Sequence, residues 1–464
     1  MRQIISIAAT AALLSGFALL PATPAVAAPV PPCASGTPLP GDYDGDGGAD
    51  LLVGFLDAGS ITGTHVNASH LVTPSDGGTA YRLDVPDGQS FPVVDADLNG
   101  DLCSDVILVT AYKVLVVLGA PGGLAMAAAK TLPLPEPAES GSLGLFYAAA
   151  GLRHDGISQI VVAGTRDYDH SLDHPALETI LETFTLDAAG SPGTPVLTDL
   201  VPYGVGQRVR LAGSGASVAV GAPYAKVAKK TNAGAVVMLT ANPAGALTYR
   251  TTITQNSPRV PGAAETNDAF GESVSLRDGR LAIGAPTERL GKASETGLVQ
   301  PIRWHEDTAT YTAYRSINQD TRGVAGSNKT GDAFGWVVLV TRGLTAAGSY
   351  DIAIGTPFKK VGHATTAGSV TVANFTRASY RTYTQNTRGV PGTAETNDWF
   401  GGTLGVLRTS PTVDTLLIGA PSETSGAAQP GYVIRSNGKR LASSVWRSVA
   451  APAGYRLWGR NFAS

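Results

Sequence analysis

Residues 385–401 have the sequence QNTRGVPGTAETNDWFG, and two other segments of the chain repeat it closely. The copies are QNSPRVPGAAETNDAFG at residues 255–271 and QDTRGVAGSNKTGDAFG at residues 319–335. Each copy ends in Phe-Gly and is followed by an apolar stretch that ends in Ile-Gly-x-Pro. Such repetition predicts a fold made of copies of one supersecondary unit, none of which can bury its apolar surface alone.

The apolar strand that closes each repeat recurs along the whole chain, in weaker form toward the N-terminus. Its end falls at seven positions, 54 to 71 residues apart: Gly54, Thr110, Gly164, Gly221, Gly284, Gly355 and Gly419. A unit of about 60 residues fits one four-stranded propeller blade with long loops. The sequence therefore predicts an all-β fold, a seven-bladed β-propeller over residues 28–464.

The composition is typical of many short strands joined by tight turns. The 464 residues include 56 Gly and 30 Pro, yet 43% of the chain is hydrophobic, which argues against disorder. Charged residues make up 15% and the formal net charge is -3. Neither a nucleic-acid partner nor a polybasic membrane patch is indicated by this balance.

The first residues have the pattern of an export signal. Arg2 precedes the apolar run Ile4–Leu20, and Ala25-Val26-Ala27 forms an A-x-A cleavage site. We therefore predict a signal peptide at residues 1–27 and a secreted, extracellular monomer without a membrane span. An N-terminal transmembrane anchor is the alternative.

Phe-Gly followed by Gly-Ala-Pro resembles the FG-GAP repeat, the unit of the integrin α-chain N-terminal propeller and of many exported bacterial proteins. The resemblance is strong in the last four units, where Tyr203-Gly-Val-Gly206 stands in for Phe-Gly in the fourth. The first three units look more like the calcium-loop repeats of bacterial adhesin-like proteins. Integrin propellers carry calcium in later blades, whereas the acid-rich loops here come early, so the integrin calcium positions are not carried over.

The sharpest chemical feature is the loop DYDGDGGAD at residues 42–50. Together with a backbone carbonyl near Gly48 and a water, its carboxylates would supply the six to eight hard oxygen ligands that Ca²⁺ prefers. An EF-hand would need Glu at loop position 12, where Val53 stands, and a strand follows instead of a helix. We predict a β-type Ca²⁺ loop, with an unoccupied acidic turn as the alternative. The carboxylates at loop positions 1, 3, 5 and 9 are Asp42, Asp44, Asp46 and Asp50.

A second loop, DLNGDLCSD at residues 97–105, has the same spacing and predicts a second Ca²⁺ site. Leu102 replaces the glycine of position 6, which weakens the pattern, and Asp95 allows another register. Only the first register aligns with loop 42–50. Its candidate ligands are Asp97, Asn99, Asp101, Asp105 and the backbone carbonyl of Cys103.

Cys33 and Cys103 are the only two cysteines of the chain. In an oxidising compartment an even count favours a disulfide between them, and two free buried thiols are the alternative. Because Cys33 precedes loop 42–50 and Cys103 lies in loop 97–105, the bond would tie the two predicted calcium blades together.

Other polar and aromatic positions are predicted to be structural. The acids before Phe-Gly are expected to cap turns, and the third unit keeps a single acid, Asp155, so no metal is expected there. The cluster Asp167–His174 is expected to be a solvated loop, with a mixed metal site as the alternative, and Lys226–Lys230 a solvated basic run. The capping acids are Asp268, Asp332 and Asp398, and the phenylalanines expected between blades are Phe270, Phe334 and Phe400.

No catalytic motif is found: the sequence has no Gly-x-Ser-x-Gly elbow, no H-E-x-x-H and no P-loop. The leading hypothesis is a calcium-binding adhesion or recognition module for an extracellular protein, glycan or cell-surface ligand. Propellers can assemble a site at the central channel from distant residues. An extracellular hydrolase with a channel site and a structural extracellular scaffold are therefore the alternatives.

Overall fold

Apolar runs of four to nine residues alternate with turns rich in Gly, Asn and Asp, and nearly every run forms a strand. The computed structural model describes residue 33 and residues 41–57, 68–84, 90–110, 113–132, 146–167, 177–200, 209–408, 412–423, 432–435, 447–450 and 455–462. The predicted signal peptide, the segment Tyr203–Gly206 and all of the cluster Asp167–His174 except Asp167 lie outside these described residues.

The strands in the N-terminal half of the chain, with one 3₁₀ turn, are β1 (Leu51–Asp57), β2 (Ala68–Thr73), β3 (Tyr81–Asp84), β4 (Ser90–Ala96), β5 (Asp105–Thr110), β6 (Val114–Val117), the 3₁₀ turn (Met126–Ala128), β7 (Lys130–Thr131), β8 (Phe146–His154), β9 (Ile157–Asp167), β10 (Leu177–Thr185), β11 (Val196–Asp199), β12 (Arg210–Ser214), β13 (Ser217–Ala222) and β14 (Ala235–Ala241).

The strands in the C-terminal half are β15 (Leu247–Ile253), β16 (Ser273–Arg277), β17 (Arg280–Ala285), β18 (Leu298–His305), β19 (Thr310–Ala313), β20 (Val337–Arg342), β21 (Tyr350–Thr356), β22 (Ser369–Asn374), β23 (Tyr380–Tyr383), β24 (Thr403–Leu407), β25 (Thr415–Ala420), β26 (Tyr432–Arg435), β27 (Arg447–Ala450) and β28 (Tyr455–Phe462).

The strands pair into four-stranded antiparallel sheets, which confirms the predicted all-β propeller fold. Six sheets consist of four consecutive strands each: β4–β7, β8–β11, β12–β15, β16–β19, β20–β23 and β24–β27. We call these sheets 2 to 7 in chain order. A further four-stranded sheet, sheet 1, joins the two ends of the chain in the order β28-β1-β2-β3. In its register Val53 lies opposite Phe462 and Gly54 opposite Asn461.

The first strand of every sheet lies toward the centre of the fold. These strands, β28, β4, β8, β12, β16, β20 and β24, contact one another in succession, and the last contacts the first. The second strands carry all seven strand ends that the sequence analysis placed, from Gly54 in β1 to Gly419 in β25. Strands β5, β13 and β25 are buried along their whole length because a neighbouring sheet covers each side. The outer strands β11 and β19 alternate between half-buried and exposed residues.

Antiparallel connectivity separates the turns into two faces. The turns from first to second strand and from third to fourth strand lie on one face, which we call the metal-loop face because loops 42–50 and 97–105 both precede a second strand. The Phe-Gly segments precede first strands, and Gly-x-Pro follows second strands. Both halves of the repeated motif therefore lie on the opposite face, which we call the repeat face.

The glycines of the repeat allow neighbouring sheets to approach closely. Gly271 donates its N–H to the carbonyl of Gly284 at 2.9 Å, which links Phe-Gly to Gly-x-Pro within sheet 5. A Cβ on Gly221, in sheet 4, would overlap the carbonyl oxygen of Gly271. Gly335 and Gly401 donate in the same way in sheets 6 and 7. The glycines are therefore needed for backbone-to-backbone packing between sheets.

The phenylalanines of the repeat are core residues between sheets, as predicted. Phe270, Phe334 and Phe400 are completely buried. Phe270 packs in one cluster with Met238 of sheet 4 and Ile283 of sheet 5. No helix among the described residues is long and apolar enough to cross a membrane.

Candidate functional site

Loop 42–50 is shaped by hydrogen bonds from its own backbone to its own carboxylates. Gly45 and Gly47 donate their N–H groups to Asp42 at 2.7 and 3.0 Å, and Asp46 donates its N–H to Asp44 at 3.1 Å. Gly45 and Gly47 have φ values of 75° and 87°, a region that glycine enters without steric cost. The Gly and Asp spacing in the sequence therefore produces a tight, inward-turned loop.

Three of the four carboxylates predicted in this loop converge. Asp42, Asp44 and Asp50 each place one oxygen within 4.8 Å of the others. Asp46 is not part of this group, and its carboxylate accepts hydrogen bonds from the Ser75 hydroxyl at 3.0 and 3.1 Å. Gly48, whose carbonyl was a candidate ligand, donates its N–H to Asp46 at 2.6 Å.

The electrostatics of this cluster are those of a site short of positive charge. Burial, and then the nearby carboxylates, raise the pKa of Asp42 and Asp44 above the usual value. The same causes raise the pKa of Asp50 to about 7. A hard divalent cation would relieve this repulsion, and an all-oxygen donor set is what Ca²⁺ prefers. The residues present therefore fit calcium.

Asp50 and Asp105, at position 9 of the two loops, have a structural role that the sequence pattern did not predict. Asp50 accepts the N–H of Tyr43 at 2.9 Å, and Asp105 accepts the N–H of Leu98 at 2.6 Å. Asp351, in a turn without an acidic series, accepts in the same way from the N–H seven residues before it, at 2.8 Å. The recurrence of Asp at the start of a second strand was a visible signal for this role. Its carboxylate closes the preceding loop whether or not a metal binds.

Loop 97–105 repeats the turn geometry of loop 42–50. Gly100 donates its N–H to Asp97 at 2.7 Å, Asp101 to Asn99 at 3.1 Å and Cys103 to Asp101 at 2.9 Å. The equivalent of Gly47 is Leu102, which has a φ of 77°. A leucine in this region is strained, so the loop geometry is imposed on an unfavourable residue.

The carboxylates of loop 97–105 do not converge as three of those in loop 42–50 do. Within the described residues, the oxygens of Asp97, Asp101 and Asp105 do not form a group within 4.8 Å. A guanidinium nitrogen of Arg153 lies 4.0 Å from Asp97 Oδ1 and donates to the Asp97 carbonyl at 3.1 Å. Burial raises the pKa of Asp97, while Arg153 counteracts the rise. Arg153, 56 residues along the chain from Asp97, thus supplies part of the positive charge that would balance the acids of this loop.

The predicted disulfide joins Cys33 and Cys103, whose Cα atoms are 5.4 Å apart. Cys33 also donates its N–H to the Asp101 carbonyl at 3.0 Å and lies against Gly45, where a Cβ would overlap it. The loops are joined directly as well, since Ser104 donates its N–H to the Asp42 carbonyl at 2.7 Å. The two loops therefore form one packed unit, as expected from the sequence.

The repeat face carries a row of aromatic side chains: Trp336, Phe358 and Trp399. The ring centroids of Trp336 and Phe358 are 5.1 Å apart, and those of Phe358 and Trp399 are 6.2 Å apart. Both tryptophans are 42% exposed. By contrast Trp304 is fully buried. Two exposed tryptophans joined through one phenylalanine form a contiguous apolar patch, unlike singly scattered surface residues.

A cavity of about 610 Å³ lies on the metal-loop face between sheets 5 and 6. The described residues of its lining include cationic and aromatic side chains and no carboxylate. The Arg280 guanidinium lies 3.8 Å from the ring centroid of Tyr350, a cation–π arrangement. The charged and aromatic lining residues are Arg280, Arg303, His305, Tyr314, Tyr350 and Arg377.

A cavity of about 370 Å³ lies among the central strands β8, β12, β16, β20 and β24. Glu272 is the one acid among its lining residues, and it forms an ion pair with Arg210. Arg277, also in the lining, pairs with the buried Asp414 at 2.6 Å. A hydrolase with two carboxylates would need a second acid in this channel, and the described residues lining this cavity do not include one.

The sequence predicts that all three acids before Phe-Gly cap their turns, and this prediction is confirmed for Asp268 and Asp398 but not for Asp332. Asp268 accepts the N–H of Glu265 at 2.5 Å, and Asp398 accepts that of Glu395 at 2.5 Å. Asp332 accepts instead from the side chain of Gln319 at 2.8 Å.

No protein-family model matches this chain, and no curated protein does. The solved structures that match this chain include a functionally unknown protein from Desulfotomaculum acetoxidans DSM 771, with 10% identity, coverage of 86% of this chain and 99% of that chain, and a TM-score of 0.45. A protein from Lactobacillus plantarum has 9% identity, covers 88% and 99%, and has a TM-score of 0.44. Puromycin hydrolase has 14% identity, covers 91% and 54%, and has a TM-score of 0.47. All three TM-scores are below 0.5, so these likenesses carry no argument about fold or function.

Proposed function

We propose that this chain is a secreted FG-GAP-type propeller, with sheet 1 as the seventh blade of the ring, that binds Ca²⁺ at loop 42–50 and recognises a glycan on its repeat face. The observation that carries the proposal is the exposed row Trp336–Phe358–Trp399. Exposed tryptophans are costly to leave in water and are typical of recognition surfaces. Flat aromatic faces suit the apolar faces of sugar rings, so a glycan is the ligand class that we favour over a protein.

Calcium has a supporting role in this proposal. Loop 42–50 lies at the join between the first two sheets, next to the disulfide Cys33–Cys103. An ion bound only by the folded state stabilises it by about 2.7 kcal/mol at a hundredfold excess over Kd. Loop 97–105 has the same spacing but already faces Arg153, so we propose that it binds Ca²⁺ more weakly than loop 42–50.

The hydrolase alternative has less support. Among the described residues that line the central cavity, Glu272 is the one acid, and Arg210 pairs with it. A hydrolase with two carboxylates would need a pair of acids, and the described residues that line this cavity offer only the ion-paired Glu272. We therefore favour a protein that binds its ligand without converting it.

The proposal is tested by measuring glycan binding on an oligosaccharide array and then by titration of the best binder. We expect Trp336→Ala and Trp399→Ala each to weaken binding about tenfold or more, the size of effect typical of a central aromatic contact. Arg377→Ala, an exposed change on the opposite face, is the matched control and should leave affinity unchanged. Binding that survives both tryptophan changes but is lost in the Arg377 variant would overturn the proposal.

The calcium part has its own test. Asp42→Asn and Asp44→Asn remove charge but keep an oxygen that can accept the turn hydrogen bonds. We expect calcium to raise the melting temperature of the wild-type protein and this double variant to lose most of that gain. Equal melting temperatures of the wild-type protein with calcium and with a chelator would remove calcium from the proposed function.

A further inference from the structure

Three later repeats each bury the same three side chains on the repeat face. They are the glutamine that opens the repeat, the aspartate before Phe-Gly, and the residue four positions after the glycine of Gly-x-Pro. We call each trio a repeat pocket. The repeat pocket of sheet 5 is Gln255, Asp268 and Glu288, that of sheet 6 is Gln319, Asp332 and Lys359, and that of sheet 7 is Gln385, Asp398 and Glu423.

The repeat pocket of sheet 6 contains its own cation. The Lys359 ammonium lies 3.3 Å from Asp332 Oδ2 and donates a hydrogen bond to Gln319 Oε1. Gln319 Nε2 in turn donates to Asp332 Oδ2 at 2.8 Å. The lysine side chain is 12% exposed and the aspartate side chain 5%. The ammonium, both ends of the Gln319 amide and Asp332 Oδ2 thus have partners, and the aspartate has an opposite charge beside it.

The repeat pocket of sheet 7 has the same framework with a carboxylate where sheet 6 has the ammonium. Glu423 is 4% exposed, Asp398 0% and Gln385 2%. Together with Glu395, the two acids place one oxygen each within 4.8 Å of one another. The Gln385 amide donates a hydrogen bond from Nε2 to the Glu423 carboxylate. Its Oε1, which in sheet 6 faces the ammonium, has no hydrogen-bond partner, and neither has Asp398 Oδ1.

The repeat pocket of sheet 5 likewise has a glutamate in place of the lysine and a buried amide oxygen without a partner. Gln255 Nε2 donates to Glu288 at 2.7 Å, and Gln255 Oε1 is buried without a partner. Burial, and then neighbouring acids, raise the pKa of Glu288 and of Glu423 to about 7. Two adjacent buried carboxylates without a counter-charge are unfavourable as anions. Both trios therefore have buried oxygen acceptors and no cationic member of their own. In sheet 5 burial raises the pKa of Asp268, and the charge of Lys230, which lies outside the trio, offsets part of that rise.

We propose that a Ca²⁺ ion occupies the repeat pockets of sheets 5 and 7, at the position that the Lys359 ammonium takes in sheet 6. Each pocket offers the ion an amide oxygen, an aspartate and a glutamate, all hard oxygen donors that suit Ca²⁺ rather than a softer transition metal. In sheet 7 the Gln385 amide can present its unpartnered oxygen to the ion. These sites are distinct from loop 42–50, which lies on the other face, and the inference does not rest on glycan recognition.

The variants are based on sheet 6, because there the Lys359 ammonium lies at the position that we propose for the ion in sheets 5 and 7. Calcium chloride is titrated by calorimetry into the metal-free full chain, and the number of bound ions is counted. We expect Glu423→Lys, which copies the sheet 6 trio, to bind one ion fewer than the parent, and Lys359→Glu to bind one ion more. Glu423→Gln is a milder second variant that removes the charge with little change of shape, and it too should bind one ion fewer.

The count separates this proposal from the calcium loop of the proposed function. Asp42→Asn with Asp44→Asn should remove an ion independently of Glu423→Lys, so the two losses should add in the combined variant. An unchanged count in Glu423→Gln and in Lys359→Glu would overturn the proposal and would mean that the paired acids share a proton instead of a cation. Loss of the ion from the loop variant alone would leave the proposed function standing without the repeat-pocket sites.

Discussion

Gly284 in sheet 5 lies so close to the backbone of Gly335 at the start of sheet 6 that a Cβ on Gly284 would overlap the Gly335 carbonyl oxygen. The same relation holds between Gly221 and Gly271 and between Gly355 and Gly401. The glycine of Gly-x-Pro in one sheet therefore receives the glycine of Phe-Gly from the next. This explains why the two halves of the motif occur together along the sequence.

The first prediction concerns this contact. Gly284→Ala should lower the free energy of unfolding by about 1–3 kcal/mol, because the backbone of the next sheet must move to admit the methyl group. Chemical denaturation measures the loss. Gly193→Ala is the matched control, since its Cβ would approach no heavy atom closer than 3.3 Å, and it should cost less. An equal cost for the two variants would contradict the packing argument.

The second prediction concerns the disulfide. Replacing Cys33 and Cys103 by alanine opens a loop of 70 residues, and chain entropy then predicts a loss of about 4 kcal/mol. Denaturation of the wild-type protein with and without reductant, beside the double variant, gives the size of the loss. A reduced wild-type protein as stable as the oxidised one would count against it.

The third prediction concerns the loop glycine of position 6. Gly47→Ala should destabilise the protein by about 1 kcal/mol, because a side chain at a φ of 87° is strained. The reverse change in the second loop, Leu102→Gly, should remove a comparable strain. Thermal melts of both variants test the pair. Stabilisation by Gly47→Ala would show that the loop does not need this conformation.

The fourth prediction concerns pH. Burial raises the pKa of Asp50 and Asp105 to about 7 from 3.8, so between about pH 4 and 7 the folded state keeps protons that the unfolded state has released. Stability of the metal-free protein should therefore fall as pH rises through this window. We expect the melting temperature in chelator to be a few degrees lower at pH 7.5 than at pH 5.

Two controls accompany the pH measurement. Asp105→Asn should make the fall shallower because asparagine does not titrate, and calcium at pH 7.5 should restore most of the lost stability. A melting temperature in chelator that rises from pH 5 to pH 7.5 would contradict the raised pKa values.

The sequence predicted those features that repeat at short range. Gly284 and Pro286, and their counterparts, marked the ends of second strands because glycine and proline have local backbone requirements. The spacing of Asp42, Asp44, Asp46 and Asp50 predicted a cluster, and three of these four carboxylates lie together, without Asp46. Local pattern was sufficient in these cases.

Features that depend on distant residues were missed. The approach of Arg153 to Asp97 spans 56 residues, and the hydrogen bond from Gln385 to Glu423 spans 38. Glu423 was not among the residues that the sequence singled out, since nothing in its neighbourhood marks it as a partner of Asp398. The ring brings such residues together through sheet packing, which a linear pattern does not encode.

The pairing of β28 with β1 has a consequence for how the chain acquires its fold. Among the described strands, β28, the innermost strand of sheet 1, is synthesised last, while β1, β2 and β3 are synthesised first. Until residues 455–462 arrive, the inner edge of β1 has open hydrogen-bonding groups that another chain could occupy. A chain truncated before residue 455 would leave the inner edge of β1 unpaired. We expect such fragments to associate with one another through that edge.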